Sequence, residues 1–151
     1  MRPEKDAYYL DIADSVLKRS TCLRRKYGAV IVRNDEIIST GYNGAPRGRT
    51  NCCELGCCAR EERNIPHGER YELCRSVHAE ANAVISAPRR DMIGATLYLA
   101  GRDAQGAPDF EPEPCPMCRR FIINAGIKTV VSRAADGAPH RTSVEEWIKG
   151  E

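Results

Sequence analysis

Two short motifs in this sequence carry residue types that could together hold a metal ion and move protons. His78 and Glu80 form a His-x-Glu motif, and Cys115 and Cys118 form a Cys-x-x-Cys motif. One imidazole and two thiolates suit Zn²⁺, and three protein ligands leave the fourth tetrahedral position open, as in catalytic zinc sites. The two motifs therefore predict a catalytic zinc centre.

Glu80 is the candidate proton-transferring group of this centre. Positions i and i+2 of a helix do not share a face, so Glu80 is poorly placed to bind the same ion as His78. Zinc with two thiolates and one imidazole has no net charge and acidifies water less than a three-histidine site does. A nearby carboxylate is then needed to accept the proton, and Glu80 is predicted to be the catalytic residue.

The prolines that flank Cys115 indicate where a helix begins. Pro114 and Pro116 stand on either side of it, and proline is tolerated in the first turn of a helix. Cys115 and Cys118 are thus expected to open a helix, whose dipole favours their thiolates. A structural zinc or unrelated core residues would explain either motif alone, but their combination and order favour a catalytic zinc.

Composition sets the class of protein. The chain has 151 residues and a formal net charge of +2, which predicts one domain and argues against a strongly electrostatic nucleic-acid binder. Apolar runs are too short for a membrane span. The charged first residues lack the apolar region of a signal peptide, so a cytoplasmic protein is expected. Eight cysteines in such a chain suggest metal ligation more than disulfides.

Hydrophobic periodicity predicts alternating helices and strands. The helices are expected from Tyr9 to near Arg19, over 77–87 and 116–124, and in the tail around 144–148. The strands are expected at 29–32, 37–42, 95–100 and 129–132, with a loop at 101–113. This order predicts a layered α/β domain, with helices packed on a mixed sheet.

A cysteine-rich insertion at about 43–75 has no sustained periodicity. An irregular segment of this length needs something to hold it in a compact domain. We expect a second, structural zinc with four ligands. The predicted ligands are Cys22, Cys52, Cys58 and Cys74. Spacing does not separate them from Cys53, Cys57 or His67, and some could be buried free thiols.

Several stretches together resemble the deoxycytidylate (dCMP) deaminase family of the cytidine deaminase-like superfamily. They are residues 19–22, 28–32, 41–46, 77–83 and 114–118, within a similarity that runs from about 7 to 132. The resemblance implies a three-layer α/β fold with about five strands, spanning 1–151 as a single domain. It also implies zinc-dependent hydrolysis of dCMP to dUMP and ammonia. Some phage-type members carry a second zinc with histidine ligands, whereas this chain offers Cys58 and Cys74.

The resemblance also implies substrate contacts. Asn43 would hydrogen-bond the sugar and the backbone of Ala79 the base, although Asn43-Gly44 is also a turn-favouring pair. A monophosphate needs cationic or N–H donors. Candidates for this role in the segments expected near the site are Arg19, Ser20, Arg24, Arg25, Arg47 and Arg89.

Assembly and regulation are further implications of the same resemblance. Family members form homo-oligomers, often hexamers, activated by dCTP and inhibited by dTTP. The segment implicated in nucleotide sensing is Gly41, Tyr42, Asn43 and Gly44. Neither a membrane nor a nucleic-acid partner is expected.

Other functions fit parts of the pattern. The motif around Cys115 is close to that of tRNA adenosine deaminases, but these need a basic surface and lack the cysteine-rich insertion. Free cytidine or another small amine is a second alternative substrate. A non-catalytic zinc protein that senses a nucleotide is a third interpretation, and the presence of Glu80 speaks against it.

Overall fold

The computed structural model describes residues 1–109 and 111–150. Position 110, in the loop predicted at 101–113, lies outside the described residues. So does position 151, the last residue of the domain predicted over 1–151. The helices are α1 (Lys5–Val16), α2 (Cys52–Leu55), α3 (Ala59–Glu62), α4 (Ala79–Ile85), α5 (Arg89–Met92), α6 (Pro116–Ala125) and α7 (Val144–Lys149). Short 3₁₀ turns cover Leu17–Arg19 and Tyr71–Leu73.

Within the described residues, six strands form one mixed sheet. They are β1 (Arg25–Arg33), β2 (Glu36–Tyr42), β3 (Thr96–Asp103), β4 (Pro108–Asp109), β5 (Thr129–Arg133) and β6 (Pro139–Ser143). The order is β2-β1-β3-β5-β6, and β4 pairs with the end of β3. Only the β3–β5 pair is parallel among the described pairs, and α6 lies on the connection between these two strands.

The central strands are buried on both faces, which makes three layers. Ala29 and Ile31 of β1 contribute to one apolar cluster, together with α4, α6 and α7. Val30 and Val32 of the same strand contribute to a second cluster, with α1. Successive side chains of a strand point to opposite faces, so the sheet is the middle layer between α1 and the other helices.

The sheet confirms the predicted three-layer α/β class but has six strands rather than about five. The added strands are β4, inside the predicted loop, and β6. β6 is mostly exposed and begins with Pro139, so it lacks the apolar alternation by which a strand is recognised in sequence. Its backbone pairing with β5 is what makes it a strand.

The insertion at 43–75 is attached to the sheet at several points. Gly44 and Val77 exchange two backbone hydrogen bonds, of 3.2 and 2.7 Å. Thr21 accepts a hydrogen bond from the backbone of Cys53 and donates one to Asn43. These bonds bring the cysteine-rich segment against the loop that leads into β1.

None of the helices formed by residues 1–109 and 111–150 has the length and apolar character that crossing a membrane requires.

Candidate metal centre and active site

Two helix N-termini position the zinc motifs. His78 is the N-cap of α4, and Cys115 is the N-cap of α6. Both helices pack on the same face of the sheet through Ala79 and Ala83 of α4 and Ile122 of α6. Packing on this shared face brings the two motifs together.

The donor atoms of His78, Cys115 and Cys118 lie within 4.8 Å of one another. Nδ1 of His78 is 3.5 Å from Sγ of Cys115 and 3.4 Å from Sγ of Cys118. Tetrahedral Zn²⁺ with ordinary Zn–N and Zn–S bonds places such atoms about 3.6 Å apart. The three donors therefore fit a zinc ion, with Nδ1 as the ligand nitrogen.

The surroundings of Cys115 favour its thiolate. The hydrogen bond with Cys118 outweighs burial and, with a further one from His78, lowers the pKa of Cys115 to about 4. The Cys118 backbone N–H, 3.5 Å away, points at the same sulfur. Hydrogen bonding to Cys115 and burial raise the pKa of Cys118. A bound cation would deprotonate this second thiol as well.

Glu80 lies in the first turn of α4 and is 5% exposed. Burial raises the pKa of its carboxyl group, although the charge of His78 opposes the shift. The carboxyl group also hydrogen-bonds with the thiol of Cys118. A carboxyl group with a raised pKa next to a metal site is suited to accepting and returning a proton.

A cavity opens in front of these residues. It has a volume of about 130 Å³ and is partly open to solvent. His78, Glu80 and Cys115 line one part of it. The other residues that line the cavity include Asn43, Arg24, Arg25, Arg60, His67, Tyr27 and Tyr71.

Three of the predicted substrate residues, Asn43, Arg24 and Arg25, lie in the cavity wall. Asn43 is buried, its Oδ1 accepts the Tyr27 N–H at 2.9 Å, and its Nδ2 donates to the Arg25 carbonyl at 2.9 Å. Arg25 lines the same cavity. Ala79 is the first residue of α4, where a backbone N–H has no intrahelical acceptor.

The other predicted phosphate contacts lie away from the cavity lining. Arg19 is exposed at the end of the first 3₁₀ turn, and Ser20 accepts a hydrogen bond from the Cys22 N–H. Arg89 is also exposed and donates to the carbonyl of Asn124, at 2.7 Å. None of these three is among the residues that line the cavity, and neither is Arg47.

The proposed sensing segment shows close packing. A Cβ atom on Gly41 would lie 2.4 Å from both the Ala79 carbonyl oxygen and the Ala83 nitrogen. Tyr42 is partly exposed, and its carbonyl accepts a hydrogen bond from Asn82. Gly44 pairs with Val77. This segment thus fixes α4 against the sheet.

The four cysteines predicted to bind a second zinc do not form a donor cluster like that of His78, Cys115 and Cys118 within the described residues. Burial raises the pKa of Cys52, and the negative charges of the nearby Cys22, Cys74 and Cys58 raise it further. By contrast, Cys53 is exposed. Within residues 1–109 and 111–150, only His78, Cys115 and Cys118 form a set of three donors within 4.8 Å.

Sequence patterns did not indicate two cavity residues. Arg60 is 6% exposed, and its guanidinium lies 4.8 Å from the centroid of the Tyr71 ring. Tyr71 in turn contacts the His78 ring edge to face, with centroids 5.2 Å apart. Both residues belong to the irregular insertion, where no periodicity marks a buried position.

Comparison with solved structures assigns this arrangement to a class. The dCMP deaminase of cyanophage S-TIM5, in complex with dCMP and dUMP, is 31% identical with a TM-score of 0.61 over 89% of this chain and 84% of that one. Cytidine deaminase from Burkholderia pseudomallei, at 18% identity and a TM-score of 0.57 over 91% of each chain, shares the fold. The fold is thus that of the cytidine deaminase-like zinc enzymes.

Sequence comparison names the family. The family described as the cytidine and deoxycytidylate deaminase zinc-binding region matches residues 3–134, and this chain belongs to it. The deoxycytidylate deaminase of Mycobacterium phage D29 is 40% identical over 134 residues, which cover 86% of this chain and 94% of that protein. The Schizosaccharomyces pombe enzyme is 39% identical over 86% of this chain, which spans only 37% of that longer protein.

Proposed function

We propose that this protein catalyses the zinc-dependent hydrolytic deamination of dCMP to dUMP and ammonia. The observation that carries the proposal is the buried Glu80 beside three donors spaced for zinc, in the wall of a cavity that opens to solvent. Similarity to a dCMP deaminase solved with dCMP and dUMP supports this nucleotide as the substrate. The product dUMP would supply thymidylate synthesis.

The chemistry assigns separate tasks to the residues of the site. His78, Cys115 and Cys118 would hold the zinc, which supplies Lewis acidity for the attack of water on C4 of the pyrimidine. Glu80 takes a proton from the attacking water and delivers it to N3. It then helps to protonate the departing amine, so the same carboxyl group acts as base and as acid.

Other residues of the cavity would orient the nucleotide. The Ala79 N–H is available to the base, and Asn43 keeps one amide hydrogen beyond the two bonds that fix its side chain. Arg25 lies close enough to offer a charged donor. Arg19, Ser20 and Arg89 stay proposals for phosphate binding, with less support from their positions.

Substrate choice is tested by measuring ammonia release from dCMP, deoxycytidine, cytidine and guanine side by side with zinc-loaded protein. We expect dCMP to have the highest kcat/KM, by about 100-fold or more, since a charged hydrogen bond to phosphate contributes about 1.5–3 kcal/mol and several are available. Equal rates with cytidine, or activity on guanine alone, would contradict the proposal.

We also propose a second, structural zinc bound by Cys22, Cys52, Cys58 and Cys74. The backbone N–H of Arg24 donates to Sγ of Cys22, with 3.4 Å between nitrogen and sulfur. The backbone N–H of Ser76 donates to Sγ of Cys74 at the same distance of 3.4 Å. Such bonds stabilise thiolates. Cys57 instead hydrogen-bonds with Glu62, which raises its pKa and makes it a weaker candidate.

Metal analysis tests this second site. Protein purified without chelator should contain two zinc ions per chain, and Cys74→Ser should contain one. Cys53→Ser, which changes an exposed cysteine of the same segment, should keep two. One zinc per chain in the unmodified protein would remove the structural site.

Assembly as a homo-oligomer, with the hexamer as the family's common form, is a further part of the proposal. Two large apolar side chains on the zinc helices, Ile85 and Phe121, are 69% and 44% exposed, which fits an interface. Light scattering after gel filtration measures the assembly. Regulation by dCTP and dTTP through Gly41, Tyr42, Asn43 and Gly44 is tested by adding each nucleotide to the dCMP assay.

A further inference from the structure

Arg60 is a buried cation that has no carboxylate partner among residues 1–109 and 111–150. Its side chain belongs to α3, is 6% exposed, and makes no ion pair within the part of the chain that the structure describes. Its Nη2 donates to the carbonyls of Pro66 and Glu69, at 2.8 and 2.7 Å. Its Nε is buried and has no acceptor there. Burying an uncompensated charge is costly, so this arrangement calls for an anion.

The position of Arg60 relates it to the candidate active site. Arg60 lines the same cavity as His78 and Glu80. Its guanidinium stacks on the Tyr71 ring, and the Tyr71 ring in turn contacts the His78 ring. The cation therefore lies one aromatic ring away from the metal ligand. A nucleotide likewise separates the reacting base from its phosphate by one sugar.

The two neighbouring arginines of the cavity already have acidic partners. Arg24 pairs with Glu61 at 3.0 Å, and Arg25 pairs with Asp109 at 3.8 Å. Both side chains are also considerably more exposed than Arg60. Of these three arginines, Arg60 has the charge that is least neutralised and least solvated, which is where an anion gains most.

We propose that Arg60 binds the 5′-phosphate of the substrate and is the residue that selects a nucleotide over a nucleoside. This inference rests on the proposed function, because it assigns a substrate group within the same site. The two carbonyl bonds of Nη2 hold the guanidinium in place before the ligand arrives. Its Nη1, which is not among the buried atoms and makes no hydrogen bond within the described residues, is left to donate to a phosphate oxygen in the cavity. A preorganised charged donor of this kind loses little conformational freedom on binding.

Binding of the product pair dUMP and deoxyuridine tests the inference without any turnover. Calorimetric titration of zinc-loaded protein should show that Arg60→Gln loses about 10- to 100-fold in the ratio of dUMP to deoxyuridine affinity, as expected for a charged hydrogen bond. Arg60→Lys should recover part of the loss through its point charge. Arg63→Gln removes an exposed charge one turn away and should leave the ratio within about 2-fold of the unmodified protein.

Two results would overturn the assignment. An equal loss of dUMP and deoxyuridine affinity in Arg60→Gln would mean that the residue only supports the loop at 66–69. A fall in zinc content in this variant would mean that its charge balances the cysteine thiolates instead. Unmodified protein that binds dUMP selectively through Arg60 but does not deaminate dCMP would refute the proposed reaction and keep this inference.

Discussion

A spacing of two residues separates the tasks of His78 and Glu80. His78 caps α4 with its ring turned to the two cysteine sulfurs, whereas Glu80 lies within the first turn and is buried beside Cys118. Burial raises the pKa of the Glu80 carboxyl group, which suits it to carrying a proton. The same spacing keeps it from being a second ligand beside His78 on the helix.

Replacing Glu80 by glutamine should abolish turnover and leave the metal in place. The amide has nearly the same shape but cannot accept a proton, and positioned acid–base groups contribute about 10²- to 10⁴-fold to rates. We expect kcat for dCMP to fall by at least about 100-fold, with zinc content unchanged by metal analysis.

The control for this change is Glu145→Gln, which removes an exposed carboxylate of α7 that pairs with Lys149. It should keep kcat within about 2-fold, since such surface pairs contribute little. A Glu80→Gln variant with near-normal kcat would remove Glu80 from the proton-transfer role.

At the residue scale, sequence was informative where chemistry restricts the residue type. His78, Cys115 and Cys118 could be predicted as one cluster because only a few residues bind zinc at such spacings, and the structure groups their donor atoms. Arg60 could not be predicted, since its burial and its contact with Tyr71 depend on how the insertion folds back. An arginine in a polar segment looks like any solvated one.

At the element scale, the contact between β2 and α4 depends on one missing side chain. Gly41 lies against the backbone of Ala79 and Ala83, next to the turn that carries His78 and Glu80. Any β-carbon at this position would push α4 away from the sheet. The spacing between α4 and α6 depends on this contact of Gly41 with α4. The distance between His78 and the two cysteines depends on it as well.

The variant Gly41→Ala should therefore lose both stability and metal affinity. Overpacking of this kind costs about 1–3 kcal/mol, which thermal denaturation would show as a lower Tm, and zinc should be released at a lower chelator concentration. Thr40→Ala changes the adjacent, exposed position and should shift Tm by little. An unchanged Tm in Gly41→Ala would contradict the described packing.

The elements that sequence predicted are those with an apolar pattern. The helix that begins near His78, the helix after Cys115 and the four apolar strands were expected and are present. β6 was missed because its residues are polar and exposed, and because its pairing with β5 cannot be read from the local sequence pattern. α5 was missed because Pro88 was expected to end a helix, whereas here it also caps the next one.

At the scale of the whole molecule, the two ends of the chain meet through charge. Arg141 of β6 donates two hydrogen bonds to Asp6 of α1, at 2.8 and 3.0 Å, and Tyr98 of β3 donates a third at 2.7 Å. Burial acts to raise the pKa of Asp6, but the hydrogen bonds from Arg141 and Tyr98 outweigh it, so the pKa is lowered. This cluster connects α1 to the far edge of the sheet.

The lowered pKa of Asp6 predicts how its contribution to stability depends on pH. The stabilisation is present above the unfolded-state pKa of about 3.9 and is lost as pH falls through the folded-state value. Asp6→Asn should lower Tm at pH 7, and its difference from the unmodified protein should shrink as the pH falls below about 4. Glu36→Gln, at an exposed position, should show little difference at either pH. A Tm difference for Asp6→Asn that stays constant with pH would contradict this account.

The most direct test of the central claim is the ultraviolet absorbance of dCMP mixed with zinc-loaded protein, followed with and without dCTP. The account predicts a loss of absorbance as dUMP forms, with one ammonia released per dUMP and no loss with Glu80→Gln. If dCMP stays unchanged under both conditions while zinc is confirmed at His78, Cys115 and Cys118, the protein is not a dCMP deaminase and a different amine must be its substrate.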